Sequence, residues 1–238
     1  MRRAGAIVAK LLAFLAARVA PGVKTKELDA AAVDLIRREG VEPAFLGYRG
    51  FPATVCVSVN EEVVHGIPGE RTIRPGDLVS IDAGVKHRGY YADAAITVAV
   101  APVTSKAQRL MDTTRRSLDA AIEQVRPSKR LSDISHTVQA VVEGEGFSVV
   151  RDFVGHGIGR ALHEDPPIPN FGAPDRGPRL KPGMVLAIEP MVTMGSWEVE
   201  VLKDGWTAVT KDGSLSAHFE HTVAITDDGP DVLTRLAV

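Results

Sequence analysis

The sequence predicts an α+β fold of two related halves, each a pair of helices followed by strands that join one shared sheet. Three observations carry this expectation. The chain resembles itself at a nearly constant offset, and each half passes from helical to strand-like apolar spacing. In addition, 238 residues with 45% hydrophobic and 24% charged side chains suit a globular unit rather than a disordered or collagen-like chain. That unit is expected to span residues 1–238, with its halves meeting at about 102/103.

The internal match is explicit. Val19-Ala20-Pro21-Gly22 recurs as Val125-Arg126-Pro127-Ser128, and Glu39-Gly40 as Glu145-Gly146, both 106 residues later. Arg74-Pro75-Gly76-Asp77-Leu78-Val79-Ser80-Ile81-Asp82 matches Lys181-Pro182-Gly183-Met184-Val185-Leu186-Ala187-Ile188-Glu189 at an offset of 107. Asp93-Ala94-Ala95-Ile96-Thr97-Val98 resembles Glu220-His221-Thr222-Val223-Ala224-Ile225 at 127. A fixed period of this kind marks a duplication. Halves of about 100 residues are small for separate cores, so one core and a pseudo-twofold axis are expected.

In chain order, Met1-Arg2-Arg3 and the Ala/Leu/Ile/Val stretch behind it superficially suggest a signal peptide, but Lys10 and Arg18 interrupt the stretch. Ile7, Leu11, Phe14, Leu15 and Val19 recur at helical spacing, which predicts an amphipathic core helix. After the Pro21 turn a second helix is expected from an N-cap at Thr25 to Gly40; its counterpart runs from Ser132 to Gly146. Strands follow over 53–59, 78–82 and 92–100, then over 148–153, 184–189 and 217–226. An extra hairpin over 198–209, turning at Asp204-Gly205, accounts for the larger last offset.

Charge and cysteine content narrow the function. Lys and Arg number 28 against 30 Asp and Glu, a net charge of −2, so no basic excess supports nucleic-acid binding. The lone Cys56 cannot form an internal disulfide. No stretch approaches the roughly 18 apolar residues of a membrane span. A cytoplasmic protein without a membrane partner is expected.

The chemistry lies in acids set among apolar strand residues. Asp82 and Glu189 are expected at equivalent strand ends, as are Asp93 and Glu220, so four carboxylates would face one another across the pseudo-twofold axis. Buried together they would repel, and two divalent ions would cancel their charge. His156, between glycines in Gly155-His156-Gly157-Ile158-Gly159, is the candidate imidazole. One imidazole with several carboxylates and no thiolate suits catalytic Mn, Fe, Co or Zn, whereas structural zinc would recruit cysteines.

Together these segments resemble type I methionine aminopeptidase. The resemblance rests on Val63-Val64-His65-Gly66-Ile67-Pro68, Ile81-Asp82-Ala83-Gly84, Gly89-Tyr90-Tyr91-Ala92-Asp93, Gly155-His156-Gly157-Ile158-Gly159, His163-Glu164-Asp165-Pro166, Ile188-Glu189-Pro190 and Phe219-Glu220-His221-Thr222. The separations agree as well, at 11 residues from Asp82 to Asp93, 7 from His156 to His163 and 31 from Glu189 to Glu220. The resemblance spans about residues 1–230 and implies the pita-bread fold, a curved antiparallel sheet with helices on its outer face. It also implies a monomeric cytosolic enzyme that removes the initiator methionine from nascent polypeptides with a small second residue, with the ribosome as a place to meet them.

Carried across residue by residue, Asp82, Asp93, His156, Glu189 and Glu220 would hold two divalent ions, with Asp93 and Glu220 bridging them. Water activated by the metals would attack the scissile carbonyl. Glu189 would serve as general base, His163 would hydrogen-bond the oxyanion and His65 would lie near the scissile amide. The substrate's free α-amine would bind a metal, which restricts cleavage to the N-terminal residue. Phe45, Tyr48, Phe51, Cys56, Leu162 and Trp206 would line the methionine pocket, with Cys56 a buried small hydrophobe rather than a nucleophile.

Three departures from the family pattern stand out. The family usually has a short segment before the position of Met1. The position of His218 is commonly Gln, which bears on hydrogen bonding near Glu220. Only 25 residues separate His163 from Glu189, where the type II family has a long insertion. The alternatives are an Xaa-Pro peptidase, whose relatives usually carry an additional N-terminal domain, and a non-catalytic binding protein on the same fold. Silent relatives lose metal ligands, whereas all five are present here.

Overall fold

A computed structural model of the chain describes residues 1–235. The first half comprises helices α1 (Arg2–Ala16) and α2 (Thr25–Glu39) and strands β1 (Glu42–Pro43), β2 (Val55–Val59), β3 (Glu62–Val64), β4 (Leu78–His87) and β5 (Tyr90–Ala99). The second begins with α3 (Ser105–Glu123), α4 (Leu131–Gly144), β6 (Ser148–Val149), β7 (Gly155–Gly157), β8 (Glu164–Ile168) and β9 (Val185–Ile188). It ends with β10 (Met191–Thr193), β11 (Val199–Val201), β12 (Ala208–Thr210), β13 (Ser216–His218), β14 (His221–Thr226) and β15 (Gly229–Val232). None of these helices is long and apolar enough to cross a membrane.

Helix α1 buries Ile7, Leu11 and Leu15 against β4 and β5 and leaves Lys10 exposed, as its spacing requires. Val19 falls beyond its end. The N-caps are Lys24 and Arg130, not Thr25 and Ser132. Carboxylates one turn in make the difference: Glu27 accepts the Lys24 backbone N–H at 2.9 Å, and Asp133 accepts that of Arg130 at 2.9 Å. Gly40 and Gly146 take the left-handed conformation beyond the helix ends, at φ of 65° and 78°.

The duplication extends to single backbone hydrogen bonds. Ile73 N–H donates to Val23 at 2.8 Å as Leu180 N–H donates to Lys129 at 3.0 Å. Gly76 and Gly183, at φ of 94° and 92°, donate to Val100 and Ile225.

Strand boundaries depart from the sequence reading in informative ways. β4 runs on to His87, so Asp82 lies within a strand opposite Cys56 and Ala95, not at a strand end, and Asp93 lies within β5. The expected strand over 148–153 shrinks to two residues. The one over 217–226 is broken at Phe219-Glu220, and the one over 184–189 stops before Glu189-Pro190, because proline cannot donate to a ladder. β3, β7, β8 and β15 are too short or too interrupted to read as apolar runs.

Among the described residues all ladders are antiparallel and form four sheets, ordered β1-β4-β2 with β5 on β4, β13-β10-β6, β11-β12-β3 and β15-β14-β9-β7-β8. A seam joins the halves between β5 and β13–β14. Glu220 N–H donates to Ala95 O at 2.9 Å, with the return bond at 3.4 Å. Asp93 N–H donates to Thr222 Oγ1 at 3.0 Å, and that hydroxyl donates back to Asp93 O at 2.7 Å. Thr97 exchanges the same pair of bonds with the His218 backbone, at 2.8 and 2.9 Å. The duplication exchanges the Asp93/Thr222 and Glu220/Ala95 pairs, so the seam is self-complementary in the manner of a twofold interface.

The single core expected from chain length is instead two. One cluster holds α1, α2 and the apolar residues of β2, β4 and β5; the other holds α3, α4 and the second-half strands, with Leu78 crossing over. Each helix pair covers its own part of the sheet. The halves share only smaller clusters, one of which includes Phe45, Phe51, Cys56, Ile158 and Leu162.

Candidate metal centre and its pocket

One cavity of about 160 Å³ is lined by all thirteen candidate residues together with Arg49. Its acidic side carries Asp82 from β4, Asp93 from β5, His156 from β7, and Glu189 and Glu220 from the strand breaks. Strand alternation turns Glu220 inward while its neighbour His221 meets Thr234 instead. Ligand atoms of Asp93, His156 and Glu220 lie within 4.8 Å of one another.

Burial makes this cluster costly without cations. Asp82 is pushed up to about 7 by burial. Asp93, Glu189 and Glu220 are held well above the usual carboxylate range, first by burial and then by neighbouring carboxylates. Asp82 Oδ1, Asp93 Oδ1 and Glu220 Oε1 are buried without a hydrogen-bond partner among the described residues. Oxygens left unpaired beside a buried imidazole suit divalent cations. His156 fits the same purpose: with Nδ1 donating to Gly157 O at 2.9 Å, its Nε2 keeps a lone pair for a metal, and burial holds the ring neutral.

The glycines around His156 serve close packing. A Cβ on Gly155 would strike Ala187 O, and one on Gly157 would strike Asp165 O. The β7–β9 ladder can therefore close and set His156 opposite Ala187, two residues before Glu189.

Two further histidines face the cluster. His163 lies 4.1 Å from His156 between ring centroids and stacks on Tyr48 at 5.2 Å. Burial, then the charges of His156, Arg49 and His65, lower it to about 4. His65 follows β3, a strand the sequence reading did not include, and adopts φ of 61°, a strained conformation for a non-glycine residue. Its ring packs edge-on against Phe153 and Trp206 at 5.3 and 6.2 Å, and burial lowers its pKa.

The opposite wall is apolar. Phe45, Phe51, Cys56 and Leu162 are buried, and Phe51 meets Trp206 edge-on at 5.1 Å. Trp206 comes from the extra hairpin, which turns where Asp204 caps the backbone N–H groups of Trp206 and Thr207, and whose β12 pairs with β3 of the first half. Burial and the nearby carboxylates push the Cys56 thiol well up, leaving it a neutral apolar surface.

Two features went beyond the sequence reading. Arg49 lines the cavity; its signal was its place between Gly47 and Gly50, where left-handed backbone lifts it over Tyr48. His218 faces Glu189, not Glu220 as its sequence position suggested, with Nε2 3.8 Å from Glu189 Oε2.

Comparison with known proteins agrees with this geometry. A model of metallopeptidase family M24 matches residues 1–227. Methionine aminopeptidase 1 of Bacillus subtilis is 53% identical over 236 residues, covering 99% of this chain and 95% of that protein. Methionine aminopeptidase of Clostridium perfringens is likewise 53% identical, with the same coverage. The crystal structure of methionine aminopeptidase from Thermotoga maritima superposes with a TM-score of 0.98 at 47% identity, over 99% of this chain and 95% of that one. Prolidase from Pyrococcus furiosus shares the fold, with a TM-score of 0.81 at 23% identity, and this chain covers 63% of it. The chain therefore belongs to metallopeptidase family M24 and, within it, to the type I methionine aminopeptidases.

Proposed function

We propose that this chain is a metal-dependent aminopeptidase that hydrolyses the N-terminal methionine from nascent proteins and peptides with a small second residue. The observation that carries the reading is the convergence of four buried carboxylates and one imidazole beside an apolar pocket, with three carboxylate oxygens unpartnered. Asp82, Asp93, His156, Glu189 and Glu220 would hold two divalent ions, drawn from Co, Mn, Fe or Zn. When bound, such ions supply Lewis acidity, acidifying water and polarising a carbonyl.

The chain's own residues do the rest. The Glu189 carboxylate accepts the proton of the attacking water and passes it to the departing amine. His163, neutral at working pH, donates an N–H to the carbonyl oxygen as it gains negative charge, and neutral His65 donates near the scissile amide. Phe45, Tyr48, Phe51, Cys56, Leu162 and Trp206 receive the methionine side chain. The cavity matches the ~150 Å³ that accommodates a single benzene, so it admits one side chain and not a folded segment. The setting is cytoplasmic, with the protein acting as a monomer on N-termini emerging from the ribosome.

The test compares Met-Ala-Ser with an Ala-Pro peptide, each with several divalent ions and with chelator. Release of methionine that requires metal is expected. Cleavage of the Ala-Pro bond alone would assign a prolidase-like activity, and no metal-dependent cleavage of either would leave a binding protein.

A further inference from the structure

Behind the cavity wall, His218 is 1% exposed, and its Nε2 has no hydrogen-bond partner among the described residues. The group it faces is Glu189, whose Oε2 lies 3.8 Å away, while His156 Nε2 lies 3.7 Å from the other oxygen, Oε1. The Glu189 carboxylate thus sits between two imidazoles.

The fold gives His218 little freedom. Its backbone N–H donates to Thr97 Oγ1, and the Thr97 hydroxyl donates back to His218 O. The Thr97 proton is committed to that bond, so Ser80, 2.9 Å from Thr97 Oγ1, donates in turn. Pairing of Met191 with His218 and of Ile188 with His221 makes Glu189 and His218 diagonal neighbours across the β9–β10 and β13–β14 segments, within reach for side chains of this length.

We infer that His218 is the positioning residue for Glu189: its Nε2–H donates to Oε2 and holds the carboxylate with Oε1 turned toward His156 and the metal ligands. The inference rests on the reading of Glu189 as ligand and proton acceptor. A buried N–H and a buried carboxylate oxygen facing each other at this distance need only a small side-chain movement to pair. Outer partners that orient metal-ligating groups commonly control metal affinity or activity by 10- to 100-fold.

The test compares His218→Leu, which removes the donor, with His218→Gln, which supplies an amide N–H of similar reach. Calorimetric titration of Mn²⁺ or Co²⁺ into each metal-free protein gives affinity, the visible spectrum of the Co²⁺ form reports ligand geometry, and Met-Ala-Ser gives kcat and KM. His218→Leu should weaken metal binding and lower kcat by about 10- to 100-fold each, leave KM nearly unchanged and alter the Co²⁺ spectrum; His218→Gln should restore all of these. Affinity and kcat of the Leu variant matching the parent would overturn the inference, as would equal damage in the Gln variant. In the unmodified metal-loaded protein, nitrogen NMR should find His218 protonated at Nε2, and a bare Nε2 would overturn it even if the Leu variant failed to fold. Metal affinity does not depend on which peptide is cut, so failure of the methionine reading would leave this result intact.

Discussion

The two halves present their acids differently. Asp82 stands within an unbroken strand with ladders on both sides, and Asp93 within β5, held by β4 on one side and by Thr222 Oγ1 on the other, whereas Glu189 and Glu220 stand at breaks beside Pro190 and Phe219. At these breaks the regular ladder is interrupted, although the Glu220 backbone stays tied to Ala95 of β5, and glutamate adds one methylene of reach. The duplicated scaffold thus offers two short carboxylates within strands and two on longer side chains at strand breaks, and a group that must accept and return a proton belongs among the latter.

The most severe way to break this contrast is to neutralise one acid from each half. Glu189→Gln should lower kcat on Met-Ala-Ser by about 10³-fold or more even at saturating metal. Asp82→Asn should act chiefly through weakened metal binding, with kcat partly recovered as metal is raised. Near-normal turnover by the Glu189 variant, or a reversal of the two patterns in metal-titrated kinetics, would end the division of roles.

Metal removal comes next. Unfolded carboxyls titrate at about 4, while in the fold burial raises Asp82 to about 7 and holds its three partners well above the usual carboxylate range. At these four carboxyls the metal-free fold therefore binds more protons than the unfolded chain above about pH 4, and their contribution to stability is lost as pH rises through 7. Bound cations take the place of those protons. Thermal melts should show the gap in Tm between metal-loaded and chelated protein widening by several degrees from pH 5.5 to pH 8. Asp93→Asn and Glu220→Gln, matched across the seam, should flatten the slope alike; a gap independent of pH would contradict burial of the cluster.

The smallest expected effect lies at the helix starts. Glu27→Ala removes one capping bond, and Asp133→Ala removes the matching bond plus a second, from Asp175 N–H at 2.8 Å. Losses of about 0.5–1 kcal/mol for the first and more for the second are expected, or about 2–4 °C in Tm per kcal/mol. Equal melts for the two variants would remove this asymmetry.

Much of this was legible in the chain itself. The duplication, the helix pairs and the acids were carried by offsets and apolar spacing, because a repeated fold repeats its apolar pattern. Less legible was what depends on contacts between distant segments. Asp82 resembled a strand end because Gly84 and Lys86 dilute the apolar run, yet pairing with β5 carries β4 on to His87. The capping carboxylates were hidden by better-known cap residues one or two positions away. The separate cores could not be read from length, since they depend on which part of the sheet each helix pair covers. The true neighbour of His218 emerged only with the diagonal register between β10 and β13.

The seam also orders events in time. Asp93 leaves the ribosome 127 residues before Glu220, and neither can meet its counterpart until β14 docks on β5. A truncated or half-folded chain offers incoming cations an incomplete nest, so loading with metal doubles as a readout that synthesis and docking have finished.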